Sequence, residues 1–267
     1  MSTVLGLVVG LILGLTGAGG SILAVPLLIF ALNWSVARSA PVALIAVAAS
    51  AALGTAIGLR QGIVRYRAAM AMAAAGAIVA PGGLFLAHRL PAAPLQLLFA
   101  LVLLIVAWRM YRHACSSNSI ADVRSPARSV PCQIDPATGR FAWTAPCTRA
   151  LVIAGSVTGL LSGLLGVGGG FVVVPALQRA TALSMNAIVA TSLAVVALVS
   201  TFAVTAAAVT GHLDIDVAIP FAIGALVGMA VGRVIAPRVA GSRLQQGFAM
   251  LCALVAIGLI AKTMRGH

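Results

Sequence analysis

Charged residues divide the chain into long uncharged stretches: 1–37, 39–59, 68–87, 90–108, 150–178, 180–213, 217–232 and 244–261. Leu, Ala and Val fill them, without the strict alternation of a half-buried strand. Most reach the roughly 17–25 apolar residues that a bilayer-crossing helix needs, whereas membrane strands would appear as ~10-residue alternating segments. The pattern therefore predicts an all-α, polytopic helical membrane protein. Whole helices are expected near 40–59, 68–87 and 94–111 in the first half. In the second they are expected near 186–209, 216–236 and 244–262. Glycines interrupt the apolar segment ahead of each set.

Those interruptions repeat. Gly14-Leu15-Thr16-Gly17-Ala18-Gly19-Gly20-Ser21 with Pro26 returns 149 residues later as Gly163-Leu164-Leu165-Gly166-Val167-Gly168-Gly169-Gly170 with Pro175. The same ungapped offset pairs Gly62 with Gly211, Gly83 with Gly232, Arg89 with Arg238 and Phe99 with Phe248. Agreement over that length indicates two homologous repeats, 1–110 and 150–267, around a polar central loop, 111–149. Each repeat is a Gly-broken helix or re-entrant hairpin followed by three transmembrane helices. Internal repeats with broken helices at matching positions are common in transporters, and mark the substrate site.

Half-helices over 2–16 and 21–32 would each be about 18–23 Å long, too short to cross a ~30 Å core alone and too long for it together. Each broken segment either spans or folds back. If both fold back, all 17 bases except Arg38, Arg89, Lys262 and Arg265 fall on one side; if both span, six fall on the minority side. Positive charge collects on the cytoplasmic side, which favours hairpins and an inverted relation between the halves.

Consecutive glycines have two readings. They can let helices pack closely, which suffices for Gly6/Gly10/Gly14, Gly54/Gly58 and Gly224/Gly228/Gly232. Gly17, Gly19 and Gly20, and Gly166, Gly168, Gly169 and Gly170, exceed that need. A helix restarting at Ser21 or Phe171 leaves its first N–H groups unpaired and its positive dipole end exposed. Inside hydrocarbon these groups require a partner, and an oxyanion supplies one. Two such ends meeting at mid-membrane would form an anion site without a charged side chain. Thr16, Ser21, Ser162, Asn186, Thr191 and Ser192 are the nearby polar side chains, and Thr191-Ser192 is the favoured pair. Each could instead bond back to its own helix.

Composition sharpens this. The four acids, Asp122, Asp135, Asp214 and Asp216, lie outside the membrane segments, which argues against a mid-membrane cation site or carboxylate relay. The net charge of +13 comes from bases scattered between apolar segments, as loop charges that orient helices and touch anionic lipid would be, so nucleic-acid binding is set aside. No HExxH occurs, and the glycine clusters are not a dinucleotide fingerprint, so no catalytic residue, metal or cofactor is assigned. Met1-Ser2-Thr3-Val4 lacks a basic signal-peptide start, so the N-terminus is read as the first membrane segment. Cys115, Cys132 and Cys147 in the central loop form no metal-binding spacing, and in a cytoplasmic loop they are expected as reduced thiols.

The doubled motif, with Val172-Val173-Val174-Pro175 after the second copy and Ala190-Thr191-Ser192-Leu193 downstream, resembles the TauE/SafE sulfite exporter family. The similarity covers nearly the whole chain except the central loop. It implies a multi-pass inner-membrane secondary transporter that exports a small sulfur-containing or organic anion, such as sulfite or an organosulfonate. Carried over by position, the family motif falls on Gly163, Gly166, Gly168, Gly169, Gly170, Pro175, Thr191 and Ser192. The first copy departs from it: Ser21 replaces a glycine, and Pro41-Val42 stands in place of Thr-Ser. The expected substrate-binding set is Gly17, Gly19, Gly20, Ser21, Gly166, Gly168, Gly169, Gly170, Thr191 and Ser192. Candidate partners are the anion, the bilayer and a second copy of the chain in a homodimer. The competing reading is a non-transporting scaffold whose glycines serve packing alone.

Overall fold

The computed structural model describes residues 2–17, 20–32, 34, 36–89, 91–116, 132, 144–165, 167–181, 183–209, 214–235 and 241–265. Gly19, Gly166, His212, Asp122, Asp135 and most of the central loop lie outside these. Among the described residues there are ten helices: α1 Ser2–Thr16, α2 Gly20–Leu32, α3 Val36–Arg60, α4 Tyr66–Arg89 and α5 Ala92–Ser116, then α6 Ala145–Leu165, α7 Gly170–Ala180, α8 Met185–Val209, α9 Ile215–Ile235 and α10 Gly241–Arg265. Five of them, α3, α4, α6, α8 and α9, are long and apolar enough to cross a membrane. Large apolar side chains such as Ile78, Met250 and Leu254 point outward, 69–80% exposed, as a lipid-facing surface requires.

Glycine seams set the helix directions. A Cβ at Gly6 would overlap the Phe221 carbonyl, one at Gly10 the Ala225 carbonyl and one at Gly14 would lie 2.8 Å from the Met229 carbonyl, so α1 and α9 run parallel in backbone contact. The α4–α6 seam is built the same way, with Gly155 on Met72 and Gly159 on Gly76. Small residues permit this approach where the bilayer offers no hydrophobic drive for association. On α3, Gly54 meets Met229 and Gly58 meets Arg233, so α3 parallels α9; the Arg233 guanidinium donates to the Gly54 carbonyl at 3.2 Å. Gly54 also meets Leu193 and Gly58 meets Ala190, which makes α3 and α8 antiparallel. The Arg65 N–H donates to the Thr191 hydroxyl at 3.1 Å, and Gly76 faces Val199, so α4 parallels α8.

These directions decide the question of the broken segments. Because α1 and α3 are both parallel to α9, the intervening α2 must return the chain to the side from which α1 began. Likewise α6 and α8 both parallel α4, and α7 must reverse between them. Each break is therefore the tip of a hairpin. The limbs are unequal: α1 has 15 residues and α6 has 21, while α2 has 13 and α7 has 11. α5 and α10 pair with each other, and the Thr263 hydroxyl donates to the Gln96 side-chain oxygen at 3.0 Å.

Two expectations about the central segment change. Helical structure extends into both its ends, α5 continuing through Ser116 and α6 starting at Ala145. The expected reduced thiols are corrected: Cys132 and Cys147 are joined in a disulfide, with Cα atoms 4.7 Å apart and both residues buried. The cause is tertiary. Cys147 lies in the first turn of α6, and the Cys132 N–H donates to the Ala180 carbonyl at 2.9 Å, at the end of α7. Since the α6–α7 hairpin brings those ends together, the two sulfurs fall within bonding geometry.

Candidate functional site: the two hairpin tips

The second tip sits near half depth. A Cβ on Gly168 would lie 3.2 Å from Val47 and 3.4 Å from Val196, each the twelfth residue of a 25-residue helix. Gly168 and Gly169 have φ of 68° and 65°, a left-handed backbone that glycine adopts without steric penalty. Those two residues turn the chain, and α7 begins at Gly170 with Gly169 as its N-cap and no side-chain capping bond. Gly168, Gly169 and Gly170 are buried. An uncapped first turn of this kind presents backbone N–H groups and the positive end of the helix dipole to its surroundings.

The first tip uses the same device. Gly17 has φ 83° and closes α1, its N–H donating to the Leu13 carbonyl at 2.8 Å. Gly17 packs against Val189, the fifth residue of α8, so it reaches closer to the start of that helix than Gly168 does. Gly20 rests on the Leu13 backbone, and Gly20 and Ser21 are both buried. α2 touches α7, so the two short limbs meet inside the bundle.

The polar side chains divide into two groups. Most bond back to their own helix: Thr16 to Ile12 at 2.7 Å, Thr158 to Ala154 at 2.7 Å and Ser192 to Val189 at 2.8 Å. Ser192 therefore takes the local alternative weighed above. Thr191 is fully buried and accepts from Arg65 N–H across the α8–α4 interface, a bond that does not use its own O–H. Asn186 is exposed in the first turn of α8.

Three serines behave differently. Among the described residues, the hydroxyls of Ser50, Ser162 and Ser200 are buried and have no hydrogen-bond partner. Ser200 faces the second tip, 2.7 Å from where a Gly168 Cβ would be. Sequence reading picked out Ser162 but passed over Ser50 and Ser200. The available signal was a serine in a long apolar helix with no neighbouring break, and that signal alone does not separate a site from a back-bonded hydroxyl.

Charges stay at the edges. Arg38, in the first turn of α3, forms a two-pronged ion pair with Asp214 at the start of α9, at 2.6 and 3.1 Å, and stacks over Trp34 at 4.3 Å. The guanidinium hydrogen bond holds the Asp214 carboxyl below its ordinary range. Asp216 occupies the first turn of α9, where the dipole favours an acid.

The model of the family described as sulfite exporter TauE/SafE matches residues 2–259. A "Probable membrane transporter protein" of Xylella fastidiosa strain 9a5c is 30% identical over 259 residues, covering 94% of this chain and 91% of the relative. A protein with the same description from strain Temecula1 is 29% identical over the same length. No solved structure matches. The family match and the helical bundle agree, and the chain belongs to the TauE/SafE sulfite exporter family of membrane transporters.

Proposed function

We propose that this transporter exports a small sulfur-containing or organic anion, sulfite or an organosulfonate, by secondary transport across the cell inner membrane. The anion would bind at the hairpin tips, on backbone N–H groups of Gly20, Gly168, Gly169 and Gly170, with Thr191 at the flank, whereas the Gly17 N–H is held by the Leu13 carbonyl. One observation carries this reading: the N-terminus of α7 is uncapped, buried and close to half depth. Hydrocarbon cannot satisfy those donors, an oxyanion can, and no acid among the described residues lies beside them to attract a cation instead. The parallel and antiparallel helix pairs support reading the halves as inverted copies, with alternating access as one half rocks against the other. The protein would act as a carrier rather than an enzyme.

Reconstitution of the purified chain into proteoliposomes tests this. Radiolabelled sulfite and methanesulfonate should cross faster than in empty vesicles, and a pH gradient should change the rate if protons are coupled. Absence of flux for both anions would sink the proposal and favour the packing-only scaffold.

A further inference from the structure

We infer that the second hairpin tip carries a hydroxyl-lined oxyanion site built by Ser200, Ser162 and Ser50, with no equivalent at the first tip. The inference rests on the anion-transport reading above and names the side chains that would recognise the substrate.

The serines stand out by what they do not do. A buried serine in a helix readily rotates its O–H onto the carbonyl three or four residues earlier. Thr201, beside Ser200, does so, donating to the Ala197 carbonyl at 2.7 Å, and Thr158, one turn before Ser162, donates to Ala154. Thr55 on α3 donates to Ala51. Ser200, Ser162 and Ser50 are 0% exposed and make no such bond. Buried hydroxyls in native proteins are almost always paired, so three orphans call for a missing partner.

Their placement points to one partner. The Ser200 hydroxyl faces Gly168. Ser50 lies three residues after Val47 on α3, and Val47 also packs on Gly168. Ser162 lies four residues after Thr158 on α6, and Thr158 packs on Gly169. Residues three and four apart share a helix face, so the three hydroxyls approach the tip from α8, α3 and α6. The start of α7 adds backbone donors to that set. Donors converging from several directions suit an anion with several oxygens, such as sulfite or a sulfonate head group, better than a single-atom halide. Each hydroxyl can also accept, so a protonated oxygen fits as well.

At the first tip the set is absent. With the repeat offset of 149 residues, Ser162 corresponds to Leu13 and Ser200 to Ala51, while Ser50 corresponds to Val199 in the second half.

The test uses the purified full chain, radiolabelled sulfite as probe, and chloride as competitor. Ser200→Ala and Ser162→Ala should each weaken sulfite binding by about tenfold or more, the loss of one hydrogen bond to a charged group. Chloride in excess should compete poorly. Without ligand, the melting temperature of both variants should match or exceed that of the parent, because each removes an unpaired hydroxyl; a structural serine would lower it. Thr201→Ala, whose hydroxyl is bonded within its helix, should bind sulfite as the parent does. If the parent binds sulfite and both serine variants bind it equally well, the hydroxyl site is wrong while the transport reading stands. If the parent binds neither sulfite nor methanesulfonate, both fall.

Discussion

Leu13 and Ala51 stand in the first half where Ser162 and Ser200 stand in the second. Around these positions the backbone scheme is the same: a long limb, a left-handed glycine turn, a short returning limb, and a glycine seam onto a helix of the other half. The comparison separates two demands on one architecture. Close backbone approach constrains both copies, because two helices without side chains at their interface cannot accept a Cβ on either. The buried serines carry no such backbone constraint, so they can differ between the halves without harming the fold. The second copy is also strapped, since the Cys132–Cys147 disulfide and the Cys132–Ala180 backbone bond close its open end.

The largest effects should come where the two copies are alike. Gly10→Leu in the first seam and Gly159→Leu in the second would each force a side chain into an opposing backbone carbonyl. Overpacking typically costs about 1–3 kcal/mol even where side chains can yield, and here backbone opposes backbone. Both variants should disappear from the membrane fraction on immunoblots; survival of one would show that the seams are not equivalent.

Next come the turns, which should separate the copies. Gly17→Ala and Gly168→Ala place a Cβ on left-handed backbone, at roughly 1–2 kcal/mol each, and both meet side chains rather than backbone. Their abundance should fall alike. Flux per molecule of transporter should collapse only for Gly168→Ala, which also covers the Ser200 hydroxyl. Equal flux loss in the two would make the tips functionally symmetrical and erase the contrast.

The strap acts on stability rather than on flux. Closing a chain segment of 15 residues is worth about 3 kcal/mol in the chain-entropy account. Reduction, or Cys147→Ser, should lower the melting temperature, and limited proteolysis should open the α6–α7 hairpin before α1–α2. An unchanged melting temperature under reductant would remove this difference between the halves.

The smallest effect belongs to the Arg38–Asp214 pair, which ties α3 to α9. The pair is exposed and screened by solvent, so Asp214→Asn should change thermal stability little. Its sign is fixed nonetheless. The folded carboxyl titrates below its ordinary 3.8, so the contribution is present above that value and fades as pH falls through the lowered one. Parent and Asp214→Asn should show parallel melting temperatures from about pH 5 to 8 and converge only in stronger acid.

Much of the bundle was readable without coordinates. Uncharged stretches located every whole helix, and the two glycine clusters located both interruptions to within a residue or two, because helix length in a bilayer and the penalty on glycine are local matters. The small-residue stripes at Gly6/Gly10/Gly14 and Gly224/Gly228/Gly232 were correctly read as packing surfaces; what could not be read was that they pack on each other. Thr191 and Ser192 stand out by position after the second break and by family resemblance and are buried, yet Thr191 receives a bond from Arg65, just ahead of α4, and Ser192 bonds back to its own helix. The orphaned serines were invisible because orphanhood depends on neighbours contributed by three separate helices.

The sequence by itself determined a helical membrane protein interrupted at two glycine clusters, since hydropathy, charge spacing and glycine runs act over one helix or one turn. The tertiary structure decided that both breaks fold back, that Cys132 meets Cys147, and that Ser200 faces the second tip. Each of those depends on helix directions and on contacts between separate segments of the chain, and no local preference encodes them.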